Sequence, residues 1–589
     1  MSVQAKSHPL PIAPERASLA TLVPCARGSG CPLGVDVPAL ANAALRGDHA
    51  AAYRIARGAN PFASSCGIGC HAPCESACHR RTWGAPVAIA ALEWAAASGS
   101  VPALAAADIP CTSAHDARSV AGLVGRTPEQ AVRARRSGKR VAVVGAGVTG
   151  LACAHDLALL GHHCVVFDAA REPGGVLTHA IPGFRFSIAS ARAECAAILA
   201  MGVELQSDYR IESSADLRAL LAGEFDAVFL ALGASEPRES LFPDQPEHPD
   251  VVDAMHVLAR PAAYTGRTVV IGDGELALDV ARTLRRLAPH GGSSAASVHV
   301  VLETPLEEST LPGSMVAAAL QEGIDVRAGW SAARYFTQDA QVLSGVELTR
   351  RAARVSSILA CDRVVTAARR TAPAAVFRPD VDLDGLGFIQ VDPETLQTSM
   401  SRVWAGGACA YGHRAIANAA ADGKRAAWHI HGALTRQPVR IAVTALWVEA
   451  EDRDAGHADR ALATPRALLP NVVTPPADPF AMRELGADVR REASRCLDCT
   501  VAPVISDACT SCGQCTRGCP TSALTLVLGA TPAIRLDPAR CTRCGVCVQL
   551  CPESAIAMQR AVWEERLTAV PDPAALPVPA RARFATPVG

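Results

Sequence analysis

The chain has 589 residues, 49% of them apolar and 19% charged, with a formal net charge of −1. That length implies several domains, and near-neutrality without a long basic run speaks against nucleic-acid binding or an anionic membrane surface. No stretch of about 18 consecutive apolar residues occurs, so no membrane-spanning helix is expected, and the N-terminus lacks the apolar core of a signal peptide.

The 22 cysteines narrow the class. In a cytoplasmic protein, the location expected here, so many thiols point to metal binding. Six lie between Cys25 and Cys78, two form Cys496-Leu-Asp-Cys499, and eight form two blocks near the C-terminus. The others (Cys111, Cys153, Cys164, Cys195, Cys361, Cys409) fall in expected core elements and read as small buried hydrophobes.

In chain order, the first nucleotide motif is Lys139-Arg-Val-Ala-Val-Val-Gly145-Ala-Gly147-Val-Thr-Gly150-Leu-Ala, a strand, a glycine turn and a helix. Gly145 allows the turn, Gly147 lets a diphosphate approach the backbone, and Gly150 lets helix and strand pack closely. A second apolar run, His163–Phe167, ends at Asp168, where an acid would hold a ribose hydroxyl. The strand candidate Asp226-Ala-Val-Phe-Leu-Ala-Leu-Gly233 follows.

A second unit, Arg267-Thr-Val-Val-Ile-Gly272-Asp-Gly274-Glu-Leu-Ala277, repeats the pattern as G-x-G-x-x-A. Its next strand candidate, Val298–Leu302, ends at Glu303. An acid there accepts from both ribose hydroxyls and repels a 2′-phosphate, so NADH is favoured over NADPH. The alternative is a solvated strand-end charge. After this unit come Asp362-Arg-Val-Val-Thr, then Ser401-Arg-Val-Trp-Ala-Gly406-Gly407-Ala408, and a helix expected from Ala415 to about His431. A late glycine turn followed by a helix is what a first domain interrupted by a second would leave.

Near the C-terminus one spacing occurs twice: Cys509-x2-Cys512-x2-Cys515-x3-Cys519-Pro520 and Cys541-x2-Cys544-x2-Cys547-x3-Cys551-Pro552. This is the spacing of bacterial ferredoxins with two [4Fe–4S] clusters, in which the fourth cysteine of each block serves the other cluster. One cluster is then expected on Cys509, Cys512, Cys515 and Cys551, the other on Cys541, Cys544, Cys547 and Cys519. Paired structural zinc sites are the alternative for soft thiolates, and two full copies with the terminal proline weigh against them.

Three further segments carry a family resemblance: Gly174-Gly175-Val-Leu with Ile181-Pro-Gly-Phe-Arg185, the stretch Gly272–Arg282, and Ala419-Ala-Ala-Asp-Gly-Lys-Arg-Ala-Ala427. With Asn60-Pro-Phe-Ala-Ser-Ser-Cys66-Gly-Ile-Gly-Cys70-His-Ala-Pro-Cys74-Glu-Ser-Ala-Cys78, they make residues 24–560 resemble the glutamate synthase small subunit and the flavin-binding portion of dihydropyrimidine dehydrogenase. The resemblance implies FAD in the first unit and a nicotinamide cofactor in the second. Gly175, Arg185, Gly233, Gly406 and Gly407 join the motif glycines as cofactor-binding positions. It also implies [4Fe–4S] clusters at both ends, one or two of them N-terminal. Carried over by position, one N-terminal cluster would use Cys31, Cys70, Cys74 and Glu93. The other would have Cys25 and Cys78 and lack two thiolates, because the family's opening EA-x-RC-x2-C is missing from the first 24 residues. That string stands instead at Glu492-Ala-Ser-Arg-Cys496-Leu-Asp-Cys499. Cys496 and Cys499 are therefore expected to fold back and complete the set; otherwise that cluster is absent. Cys66 has no ligand role in this scheme.

Two other departures bear on function. Ala408 replaces the aspartate by which relatives contact the flavin chain, and Leu302-Glu303-Thr304 stands where NADPH-using relatives carry arginines. The expected fold is an α/β multidomain protein. It comprises a helical iron–sulfur domain (1–135), a Rossmann-like FAD domain (136–262 and 370–435), an inserted Rossmann-like NAD(P)H domain (263–369), a connector (436–500), a ferredoxin-like α+β domain (501–560) and an extended tail (561–589). The expected activity is electron transfer between NAD(P)H and iron–sulfur clusters, with a ferredoxin or a catalytic reductase subunit as partner, possibly in a hetero-oligomer. The nicotinamide would stack on the flavin and pass a hydride to N5, a step that needs alignment more than an acid–base residue. No nucleophile–base pair suggests hydrolysis. The rival readings are an iron–sulfur relay or structural subunit with a decayed flavin site, and a glutamate synthase small subunit proper.

Overall fold

The computed structural model describes residues 23–26, 30–104, 137–238, 240–288, 297–309, 311, 313–338, 341–350, 355–436, 439–449, 461, 463, 489–528 and 533–569. Cys111 and most of the expected tail lie outside these.

The flavin-type unit is a five-stranded parallel sheet in the order Val403–Ala405, Ala227–Leu230, Arg140–Val144, His163–Phe167, Glu204–Gln206. Its central strands are continuous Val, Ala, Leu and Phe runs because helices cover both faces, as parallel sheets require. Helix Val148–Leu159 is buried at every position, sandwiched between the sheet and the 20-residue helix Ile416–Thr435. These two helices cross closely: a side chain at Gly423 would strike the Thr149 carbonyl oxygen at 2.1 Å.

The second unit has its own five-stranded parallel sheet, ordered Val251–Asp253, Arg363–Thr366, Thr268–Ile271, Val298–Leu302, Asp325–Ala328. A three-stranded antiparallel sheet (Ser331–Gln338, Val342–Arg350, Val355–Ala360) packs beside it. The boundary expected at 262 lies earlier than that, since Val251–Asp253 already pairs with Arg363–Thr366. A three-residue strand behind a proline-rich stretch leaves no periodic signal. The entering and leaving connections run side by side as the ribbon Glu236–Pro237 with Arg370–Thr371.

N-terminally, helices Val37–Arg46, His49–Ala59, Ala63–Gly69, Pro73–Ala77 and Ile89–Leu104 form a small bundle. Asp36 and Asp48 cap the first two, each accepting a backbone N–H three residues on, at 3.0 and 2.9 Å. The bundle is seated on the flavin-type unit by Glu194, which accepts from Ser64 N (2.7 Å), Ser65 N (3.2 Å) and Ser65 Oγ (2.6 Å). Helix Val489–Ala493, from the other end of the chain, packs into the same bundle.

The C-terminal region shows an internal repeat. Short helices Gln514–Arg517 and Val546–Gln549 each follow a left-handed glycine, Gly513 and Gly545. Two strand pairs complete it: Leu524–Val527 with Ala533–Leu536, and Val501–Ile505 with Ile556–Ala569. The long strand Ile556–Ala569 also pairs along its length with Val439–Glu449. Residues expected to be connector and tail thus share one sheet, joined by a non-local pairing that neither segment advertises. Among the described residues no helix is long and apolar enough to cross a membrane.

Candidate functional site

Both nucleotide motifs sit at the carboxyl edge of a parallel sheet, the edge at which such sheets bind ligands. Their loops are built alike. Gly145 (φ +111°) lies against the Ala231 carbonyl oxygen, and Gly272 (φ +146°) against that of Ala367. In both cases an added Cβ would come within 2.3 Å or less. At the next glycines, Gly147 and Gly274, a Cβ would meet no atom within 4 Å. The loops are therefore clamped on one side and open on the other, which suits the backbone approach of a dinucleotide's diphosphate. Gly150 must remain glycine because a Cβ would strike the Gly145 carbonyl oxygen, whereas the second loop accommodates the fully buried Ala277.

The remaining positions of the first unit gather at the same edge. Asp168 accepts from Ala146 N (2.5 Å) inside the glycine loop and from Ala170 N (2.7 Å). Gly174 N donates to the Ala146 carbonyl (2.8 Å), and Gly175 abuts Gly147. Gly233 follows the strand Ala227–Leu230. Gly406 N donates to the Leu230 carbonyl (3.1 Å), and Gly407 stands against Thr149 at the start of the motif helix. Ala408 opens a short helix, and Asp422, paired with Arg414 at 2.9 and 3.0 Å, lies beside the Gly406 turn.

In the second unit Glu303 is exposed and accepts from Ser331 Oγ (2.9 Å). Asp273, between the two glycines, accepts from Thr304 N (3.1 Å) and Thr304 Oγ1 (2.8 Å). Asp273 adds a second carboxylate to the loop and strand end, a contribution its position inside G-x-G could have signalled. Arg185 is committed to ion pairs with Glu275 (2.8 Å) and Asp279 (2.5 Å) on the second unit's helix. Burial would raise the Glu275 carboxyl, but His71 and Arg185 hold it at about 2.

At the C-terminus two cavities open among the cysteines. One is lined by Cys519, Cys541, Cys544 and Cys547; the other by Cys509, Cys512, Cys515 and Cys551. Each mixes three cysteines of one block with the fourth of the other. The fourth cysteines are held alike: Ala523 N donates to Cys519 Sγ (3.3 Å) and Ala555 N to Cys551 Sγ (3.2 Å). Among the described residues, no three His, Cys, Asp or Glu side chains converge closely enough for a single metal ion. Tetrahedral zinc would need sulfurs about 3.8 Å apart, given Zn–S bonds of about 2.3 Å; a cubane, with its own bulk, needs a wider frame. The donor set and the cavities fit the cluster.

At the N-terminus two groups form. Burial pushes the Cys74 thiol up, with Glu93, Cys31 and Cys70 as the next contributors, and Cys31 packs on the buried cluster that holds Cys74. Glu93 is 8% exposed, and burial, then Glu75, pushes its carboxyl up to about 8. A carboxylate so buried invites a cationic partner. The second group is Cys25, Cys78, Cys496 and Cys499. The Cys25 thiol is raised first by burial, then by Cys499, Cys78 and Cys496.

The string Glu492-Ala-Ser-Arg495 makes that return possible. Arg495, 1% exposed, donates to the carbonyls of Pro86 (2.7 Å) and Ala85 (2.6 Å), and Glu492 accepts from Ala88 N (2.8 Å). Cys66 is buried beside Cys70 and outside both groups. Cys499 in turn neighbours Cys541, and His79 stands between Cys499 Sγ (3.8 Å) and Arg543 Nη2 (3.5 Å). Among the C-terminal cysteines Cys512 is the exposed one.

Two dinucleotide units, one inserted in the other, with cysteine groups at both ends of the chain, define a pyridine-nucleotide-dependent flavoprotein oxidoreductase with iron–sulfur domains. Family models agree: pyridine nucleotide-disulphide oxidoreductase over residues 216–423, NAD(P)-binding Rossmann-like domain over 143–193, dihydropyrimidine dehydrogenase domain II 4Fe-4S cluster over 17–101, and 4Fe-4S dicluster domain over 508–555. The chain is similar to the FAD–NAD(P) oxidoreductases of the glutamate synthase small-chain and dihydropyrimidine dehydrogenase kind, with a 4Fe-4S region matched at each end.

It is 28% identical over 506 residues to the NADP(+)-dependent formate dehydrogenase subunit beta of Moorella thermoacetica, covering 80% of this chain and 69% of that protein. Over 333 residues it is 28% identical to the Escherichia coli glutamate synthase [NADPH] small chain (50% and 68%). To an NAD-dependent dihydropyrimidine dehydrogenase subunit homolog of Salmonella typhi it is 27% identical over 303 residues (50% and 68%). All three relatives are subunits of larger oxidoreductases, and their names divide between the two nicotinamide cofactors.

Proposed function

We propose that this chain is an electron-transfer subunit that exchanges electrons between NADH and a partner redox protein, a ferredoxin or a catalytic reductase subunit, through FAD and four [4Fe–4S] clusters. Gly145, Gly147, Gly150, Asp168 and the Gly406–Gly407 turn would hold FAD; Gly272, Gly274 and Glu303 would hold the nicotinamide nucleotide. Cys31, Cys70, Cys74 and Glu93 would ligate one N-terminal cluster, and Cys25, Cys78, Cys496 and Cys499 the other. When bound, the flavin accepts electrons in pairs and the clusters pass them singly.

One observation supports the reading: cysteines from both ends of the chain pack together. Cys25, Cys31, Cys74, Cys78, Cys496 and Cys499 share one buried cluster, His79 links Cys499 to Arg543 of the C-terminal region, and Cys515 and Cys547 of the two C-terminal blocks share another. NADH rather than NADPH is supported by Asp273 and Glu303, two carboxylates where a 2′-phosphate would need cations.

Anaerobic purification with flavin and iron counted tests this. The expected result is about 16 iron atoms per flavin, four for each cluster. NADH should bleach the flavin at lower concentration than NADPH does. A relay without flavin, the reading Ala408 favours, predicts iron without isoalloxazine absorbance.

A further inference from the structure

The second nucleotide loop is held by more than its own unit. Glu275 directly follows Gly274 and begins helix Glu275–Leu287. Asp279 lies one turn further on the same face. Both carboxylates take the guanidinium of Arg185, which comes from the Ile181–Arg185 segment of the flavin-type unit. Arg185 and Glu275 are each 18% exposed and Asp279 7%, so the pairs are largely out of water. Breaking such a pair leaves a buried charge without its partner.

The other oxygen of Glu275 takes His71 Nε2. His71 lies between Cys70 and Cys74, and its ring meets His413 edge-on at 6.2 Å, just ahead of helix Ile416–Thr435. The cluster region, the flavin-type unit and the second unit therefore meet at one carboxylate, next to the open glycine at which a nucleotide diphosphate would enter.

We propose that Glu275 is a positioning residue for hydride transfer: gripped by Arg185 and His71, it fixes the Gly272–Gly274 loop, and the bound nicotinamide with it, over the flavin. The inference rests on the FAD and nicotinamide assignments above. With FAD and NADH bound, the step it would serve breaks the C4–H bond of the dihydronicotinamide and carries the hydride, with both its electrons, to flavin N5. The nicotinamide would be oxidised, and water would supply the proton that completes flavin reduction. A reacting pair displaced by about 1 Å can lose about 100-fold in rate, so a loop freed from its grip should slow this step more than it weakens binding.

Anaerobic stopped-flow on the holoprotein decides the matter, with NADH varied and dithionite as a reductant that needs no nicotinamide site. Glu275→Gln is expected to lower the saturating rate of flavin bleaching by about tenfold, and His71→Asn, at a half-exposed ring, by about threefold. Flavin content, iron content and dithionite reduction should stay at wild-type values. Equal saturating rates in both variants overturn the proposal. So does a parallel loss of flavin, iron or dithionite reduction, which would make the contact purely structural. If Glu275→Gln does not fold, His71→Asn alone decides by the same criteria. A wild-type flavin untouched by NADH and NADPH removes the functional reading itself, and this inference falls with it.

Discussion

The C-terminal cysteines and the N-terminal ones are brought together by opposite means. In the C-terminal region every cysteine lies within one stretch, Cys509 to Cys551, and short left-handed turns at Gly513 and Gly545 curl each block around its own cavity. In the N-terminal region neither group is local. One draws Glu93 from a helix well past Cys74, and the other draws Cys496 and Cys499 from beyond both nucleotide units. Local assembly asks only for the right spacing. Distant assembly asks that the rest of the protein be folded first, because closing a long loop has to be offset by contacts elsewhere. The Glu492–Arg495 anchorage to residues 85–88 supplies those contacts for the second group.

The sharpest break of this contrast is a pair of variants. Cys496→Ser/Cys499→Ser should remove about four irons per chain while leaving flavin and the C-terminal clusters in place. Full wild-type iron in that variant would eliminate the distant assembly. Cys551→Ser, its counterpart, should remove the cluster of Cys509, Cys512 and Cys515, not that of its own block, and paramagnetic resonance of the reduced protein distinguishes the two.

A smaller effect is expected at Glu93. Glu93→Ala leaves three thiolates, and iron release to a chelator should quicken by at least the roughly 10–100-fold that loss of an outer-shell partner costs. Release in two phases, one of them unchanged, is the expected trace. A single unchanged rate would show that Glu93 holds no metal.

The smallest effect concerns the seating of the bundle. Burial raises the Glu194 carboxyl to about 7 despite the bonds from Ser65 and Ser64. Its folded value lies above its unfolded one, so its contribution to stability is full below about pH 4.5 and is lost as pH rises through about 7. Glu194→Gln should flatten this pH dependence, by an amount on the order of 1 kcal/mol or about 2–4 °C in Tm between pH 5 and 8. The C-terminal clusters should be indifferent to it; a parallel pH response in both regions would contradict the contrast.

What could be read from the residues followed the same division. The dicluster region and the first glycine loop were legible because each motif is written in a short window, and family models match both. The interruption of the first unit was legible from the late Gly406–Gly407. The strand Val251–Asp253 was not, being three residues long and stabilised only by its neighbour. Nor was the pairing of Val439–Glu449 with Ile556–Ala569, since strand partners far apart in the chain leave no mark on each other. Arg185, expected as a cofactor contact, pairs with Glu275 and Asp279, partners that its own segment does not announce. His71 carried no signal of its own, because its partner lies 204 residues away.

The ribbon of Glu236–Pro237 with Arg370–Thr371 has a consequence for how such a molecule can arise. Departure from and return to the host sheet occur at one doorway, so the guest unit is a pendant on a double thread. Exchanging it would leave the path of the host chain unchanged and would cost the Arg185 pairs with Glu275 and Asp279. Proteins with the same flavin host and different guests, or different appended ends, are what that doorway permits.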